Sequence, residues 1–125
     1  MICKCALLIT GATAVGKTSV SLDVAQLLPN VEIVSVDSRQ IYRQMDIGTA
    51  KPSFAERAEF PHHFIDILNP DEVYNAAKYG EDARKLITDI WIRGGIPVLV
   101  GGTGLYWQSI FDGFFRDTVN YEAIR

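Results

Sequence analysis

The chain has 125 residues, of which 48% are hydrophobic, and a formal net charge of −3. That excludes a disordered chain and gives no sign of a strongly basic nucleic-acid binder, while leaving room for one domain with a core but little more than that for a nucleotide-dependent enzyme. No stretch approaches membrane-spanning length and no signal-like segment opens the chain, so a soluble, cytoplasmic protein is expected.

Cys3 and Cys5 open the chain two residues apart. On a strand they share a face and sit poorly for a mutual disulfide, and two thiols alone do not make a zinc site. They are read as reduced core or near-core residues. Leu7-Leu8-Ile9 reads as a buried strand. It feeds Gly11-Ala12-Thr13-Ala14-Val15-Gly16-Lys17-Thr18, which fits the phosphate-loop pattern G-x-x-x-x-G-K-[ST] at every defined position. Val20, Val24, Leu27 and Leu28 recur at helical spacing after it. The glycines let backbone N–H groups turn inward, the helix start adds donors and partial positive charge, Lys17 reaches phosphate oxygens, and the Thr18 hydroxyl suits a magnesium ion.

Glu32 to Asp37 reads as a second strand with the acid at its C-terminal end, beside the phosphate loop. There Asp37 can touch a magnesium shell, act as a general base, or simply cap the next turn. Ser38 to Pro52 reads as a loop with at most a helical turn, carrying Arg39, Arg43 and Lys51 against the single acid Asp46. His63 to Leu68 is expected to be a third strand. His62 and His63 have no Cys or Glu partner in a ligand pattern and are read as structural.

Val73, Ala76, Ala77, Ala83, Leu86, Ile87, Ile90 and Trp91 mark one face of a long helix that Gly94-Gly95 ends. Val98-Leu99-Val100 has the continuous apolar character of a central parallel strand. Gly101-Gly102-Thr103-Gly104 turns the chain into a helix from about Leu105 to Phe111. Tyr106, Trp107, Phe111, Phe114 and Phe115 are read as packing residues rather than as a base-stacking platform. Alternating strands and helices predict an α/β fold with a doubly wound parallel sheet. The phosphate loop, Asp37 and the Gly101–Gly104 turn should then share the C-terminal edge of that sheet.

Three blocks go further. The string from Ser35 to Pro52, SVDSRQIYRQMDIGTAKP, closely resembles the signature of the tRNA dimethylallyltransferases, as do Pro61 to Ile67, PHHFIDI, and Val100 to Tyr106, VGGTGLY. They stand in the family's order and spacing. One position departs: the family usually has proline second in the phosphate loop, where this chain has Ala12.

The resemblance implies a P-loop fold, incomplete at its C-terminus, in which residues 1–125 form the first part of a transferase domain and a helical tRNA-gripping insertion starts near 119–125. It implies transfer of a dimethylallyl group from dimethylallyl diphosphate to the exocyclic amine of the adenine beside the anticodon in tRNA, with Mg2+ as cofactor. Asp37 is implied as the base and a tRNA contact, and Thr103 as a catalytic position that touches the flipped adenine or its backbone. Ser38, Arg39, Gln40 and, by a weaker local match, Arg125 are implied as tRNA contacts. A complete member is expected to be monomeric. An adenylate dimethylallyltransferase, a P-loop small-molecule kinase and a non-catalytic phosphate-binding remnant stand as alternatives.

Overall fold

Residues 4–10, 14–43 and 51–117 are described by a computed structural model. In chain order they form β1 (Leu7–Thr10), α1 (Ala14–Leu27), β2 (Val31–Ser35), α2 (Phe54–Glu59), β3 (His62–His63), α3 (Ala76–Ile92), β4 (Ile96–Gly101) and α4 (Gly104–Asp117). The strands make one sheet in the order β1-β4-β2-β3, with every pair parallel. This is the expected parallel sheet flanked by helices.

Side-chain alternation along β2 and β4 divides the core into two layers. Ile33 and Val98 pack with Ala25 of α1 on one face. Val34 and Leu99 face the other way, into a larger cluster with Tyr79, Ala83, Ile87 and Ile90 of α3 and with Tyr106, Trp107 and Ile110 of α4. Tyr79 lies fully buried at its centre, stacked on Tyr106 with ring centroids 4.1 Å apart. Its hydroxyl donates to the Ser35 carbonyl at 2.6 Å, satisfying the one polar group that burial would otherwise strand.

Several expectations need correction. Leu7 and Leu8 are exposed rather than buried, because β1 is the outermost strand of the described sheet and pairs only with β4. In α1 the sheet-facing positions are Ser21 and Ala25, flanked by half-buried Leu22 and Val24, while Val20 and Leu27 point to solvent. Cys5 is exposed and precedes β1 instead of sitting in a strand core, and Cys3 lies outside the described residues.

The strand expected over His63–Leu68 is cut to His62–His63, paired with Ile33 and Val34. Phe64 (φ 67°) and Asp66 (φ 57°) then adopt left-handed backbone, which no strand can continue through. Beyond the turn, Leu68 forms an isolated parallel bridge with Tyr42, outside the four-stranded sheet.

The periodicity reading missed α2, yet its start has a capping box: Ser53 Oγ accepts from the Glu56 amide, and the Glu56 carboxylate accepts from the Ser53 amide at 2.7 Å. Helix α3 starts at Ala76, after Asn75 caps it, so Val73 falls outside it and is exposed. The helix ends as expected, with Gly94 at φ 80°. Helix α4 runs past Phe111 to Asp117; Tyr106 and Trp107 are core, and the side chains of Phe114 and Phe115 lie outside the described residues.

Candidate active site at the strand ends

The strand register brings the sequence motifs to one edge. Thr10 pairs with Gly101 and Ser35 with Val100, so β1, β4 and β2 end level with one another. The Val36 amide donates to the Val100 carbonyl at 2.7 Å and carries the ladder one residue further, delivering Asp37 beyond the edge. Gly101 is required here: a Cβ on it would stand 1.9 Å from the Val36 carbonyl oxygen. Strand β4 separates β2 from β1, so Asp37 is not on the strand beside the phosphate loop as expected. Even so, a single cleft is lined by Lys17 and Thr18 from α1, by Asp37 and Gln40 beyond β2, and by Gly101.

Helix α1 begins inside the phosphate-loop motif, at Ala14. Gly16 therefore falls in its first turn, where amides lack intrahelical acceptors, and Lys17 and Thr18 follow directly, near the end of the helix dipole that favours an anion. No acidic side chain stands in that first turn to compete.

Asp37 uses one oxygen locally. Oδ1 accepts from the Arg39 amide at 2.7 Å and the Gln40 amide at 3.1 Å, which is the capping role weighed above. That bond pair fixes the carboxylate and leaves Oδ2 for other work. Gln40 is buried, and its side-chain oxygen accepts from Ser35 Oγ at 2.9 Å. Thr103 is not part of the cleft lining; its hydroxyl accepts from the Ser38 amide at 3.0 Å and ties the Asp37–Ser38 turn to the turn before α4. Arg39 is exposed.

Another part of the lining does not follow from the motifs. Pro52, His62 and Ile65 form it. His62 Nδ1 lies 2.7 Å from the Phe60 carbonyl, so it carries the proton there. Burial, together with the Arg57 charge, holds the His62 pKa below its ordinary value of 6.5, which keeps the ring neutral at physiological pH. Register decides which histidine it is: β2–β3 pairing sets His62 opposite Ile33, which also lines the cleft, whereas His63 falls opposite the next residue and turns to Glu32 (2.8 Å). Lys51, grouped in the sequence with Arg39 and Arg43 against the single acid Asp46, is 4% exposed and bonded to Asp66 at 2.5 Å.

A family model described as IPP transferase matches residues 40–125. The chain belongs to the IPP transferase family. The tRNA dimethylallyltransferase of Thermotoga neapolitana is 54% identical over 118 residues, which is 94% of this chain and 38% of that relative. That of Roseiflexus sp. is 58% identical over 106 residues, 85% of this chain and 34% of the relative. The crystal structure of the full-length tRNA isopentenylpyrophosphate transferase of Bacillus halodurans superposes with a TM-score of 0.81 at 47% identity, covering 90% of this chain and 37% of that one. A eukaryotic dimethylallyltransferase whose structures capture it acting on tRNA gives a TM-score of 0.76 at 36% identity, over 84% of this chain and 26% of that one. The chain thus spans well under half the length of the relatives it matches.

Of the expected IPP-transferase site residues, Lys17, Thr18, Asp37 and Gln40 come together in the cleft, with Ser38 and Thr103 bonded to each other at its rim. Gly11, Ala12, Thr13 and Arg125 lie outside the described residues, as does the segment expected to open a helical insertion. Ala14 and Val15 are described only as backbone of α1, and Gly16 is exposed.

Proposed function

We propose that the protein carrying this chain transfers a dimethylallyl group from dimethylallyl diphosphate to the exocyclic amine of the adenine beside the anticodon in tRNA. The observation that carries this reading is the cleft where Lys17 and Thr18 meet Asp37, in a chain of the IPP transferase family. Lys17 and the open amides of α1 grip the diphosphate. The allylic C–O bond breaks and its electron pair leaves with pyrophosphate, whose growing charge those donors neutralise. The adenine nitrogen bonds to the allylic carbon, and its proton passes to Asp37 Oδ2, because a delocalised amine is a weak nucleophile without a base. The adenine must leave its stack to arrive there. Ser38, Arg39, Gln40 and Thr103 form the tRNA-facing side of the reading, with Arg125 further along the chain. The setting is a cytoplasmic enzyme, monomeric when complete.

A magnesium ion fits the donor set. Thr18 and Asp37 offer hard oxygens in one cleft, and no group of three His, Cys, Asp or Glu side chains among the described residues would close a protein-only cage. That is the pattern of a site completed by phosphate and water, with the Thr18 hydroxyl as a protein ligand. Bound there, the ion would add positive charge against the departing pyrophosphate.

The test is calorimetric titration with magnesium pyrophosphate. Lys17→Ala should weaken binding by about 1.5–3 kcal/mol, the worth of a charge-assisted contact. Equal affinity in the two proteins overturns the reading.

A further inference from the structure

Two three-membered charge clusters flank β2, one on its first residues and one among the segments beyond its C-terminal end. Near its start, Glu32 accepts from Arg93 at 2.6 Å and lies 2.8 Å from His63. Near the cleft, Asp66 accepts from Lys51 at 2.5 Å and from Arg57 at 2.6 Å. The second cluster has no part in the reaction as described above. Its partners, however, are chain neighbours of the cleft wall. Lys51 precedes Pro52, and Arg57 Nε donates to the Pro52 carbonyl at 2.9 Å. Lys51 Nζ also donates to the Tyr42 carbonyl at 2.7 Å. Asp66 follows Ile65, and its amide donates to the Gln40 carbonyl at 3.0 Å. Pro52, Ile65 and Gln40 all line the cleft.

Two features mark this cluster as more than a surface ion pair. Lys51 is almost out of water, and a cation in that position needs its counter-charge to stay there. Asp66 and Phe64 hold left-handed backbone on either side of Ile65, a conformation that persists only where its surroundings over-determine it. Burial works to raise the Asp66 pKa, but the hydrogen bonds and charges of Lys51 and Arg57 outweigh it and hold the carboxyl below its ordinary value of 3.8. The brace is therefore charged at neutral pH.

We propose that Asp66 is a positioning residue: its carboxylate, clamped between Lys51 and Arg57, sets where Gln40, Pro52 and Ile65 stand in the cleft they share with Lys17 and Thr18. Gln40, which belongs to this wall, is a tRNA contact in the transfer reading. The wall is therefore the acceptor's, an assignment that rests on the transfer reading; the bracing itself does not.

The experiment compares Asp66→Asn with Glu32→Gln. Asparagine keeps the size and tolerates left-handed backbone, but leaves Lys51 facing a neutral amide. Glu32→Gln weakens the cluster at the far end of the same strand and reports a general loss of stability. In the full-length protein, hydrogen exchange at the amides of Asp66, Ile67 and Arg43 should rise about tenfold in Asp66→Asn, and not in Glu32→Gln. In the full-length protein, Asp66→Asn should raise the KM for tRNA about tenfold or more, as misplacement of a positioning wall does, while magnesium pyrophosphate affinity stays within about twofold of wild type. Unchanged exchange at the wall, an unchanged KM, or an equal loss in Glu32→Gln overturns the proposal. If wild type transfers nothing, the functional reading fails, and the exchange comparison alone still decides the bracing. If Asp66→Asn does not fold, Asp66→Glu, which keeps the charge but displaces it by a methylene, gives the same readouts.

Discussion

Asp37 Oδ1 is committed to the amides of Arg39 and Gln40, and an asparagine in its place has an amide oxygen that accepts the same two bonds. Asp37→Asn therefore keeps the turn and removes only the basic oxygen. In the full-length protein, single-turnover transfer should slow about 10²–10⁴-fold, with pyrophosphate affinity unchanged; an unaltered rate rules out the base. The capping and catalytic readings of Asp37 competed at the level of sequence, and the two oxygens allow both. Lys51 was not legible in the same way. Its nearest acids in sequence are Asp46 and Glu56, five residues away on either side, yet its partner is Asp66, and only the fold closes that distance. His62 was passed over because a histidine beside another histidine carries no ligand pattern; what makes it a cleft residue is its register against Ile33.

Strands with apolar residues on both faces were legible wherever the sheet buries both faces. Strand β4, with Val98 and Leu99 facing opposite layers, is the clear case. Strand β3 was over-read, because an apolar run looks the same whether it extends or bends. The segment turns away from the sheet at the positive φ of Phe64 and Asp66, where Asp66 pairs with Lys51 and Arg57 and the Phe64 ring packs on Tyr79 (centroids 5.0 Å apart). The face of α1 was misjudged for a related reason: Val20 and Leu27 are apolar yet exposed, while Ser21 is buried with its hydroxyl donating to the Thr18 carbonyl at 2.8 Å. Gly101 shows how tightly elements meet at the site. Gly101→Ala places a methyl group within 1.9 Å of backbone oxygen, with no flexible side chain to yield. Strands β2 and β4 must separate, Asp37 must shift, and the cost should be about 3 kcal/mol or more, at the high end for overpacking. Urea denaturation measures it; a loss below about 1 kcal/mol would mean the strand ends are more compliant than their register implies.

For the whole molecule, the sheet ends at β1, whose Leu7 and Leu8 are 39% and 48% exposed and whose outer edge has no partner strand among the described residues. Parallel sheets are normally covered on both faces, and an open, apolar edge invites association. The chain spans 38% of the length of the Thermotoga neapolitana relative. The expectation is that residues 1–125 alone are marginally stable, self-associate and transfer slowly. Their tRNA affinity should be weak, because Lys51 is occupied by Asp66 and, of the three cations in the signature loop, only Arg39 and Arg43 are exposed. With so few phosphate contacts, the logarithm of affinity should fall with the logarithm of salt at a slope of about −2 or shallower. Purified 1–125 can be checked for folding by circular dichroism, for association by light scattering, and for dimethylallyl transfer to a cognate tRNA beside the full-length Thermotoga relative. A folded monomer with turnover comparable to that relative would show that the described sheet is sufficient and that its exposed β1 edge has no need of a partner.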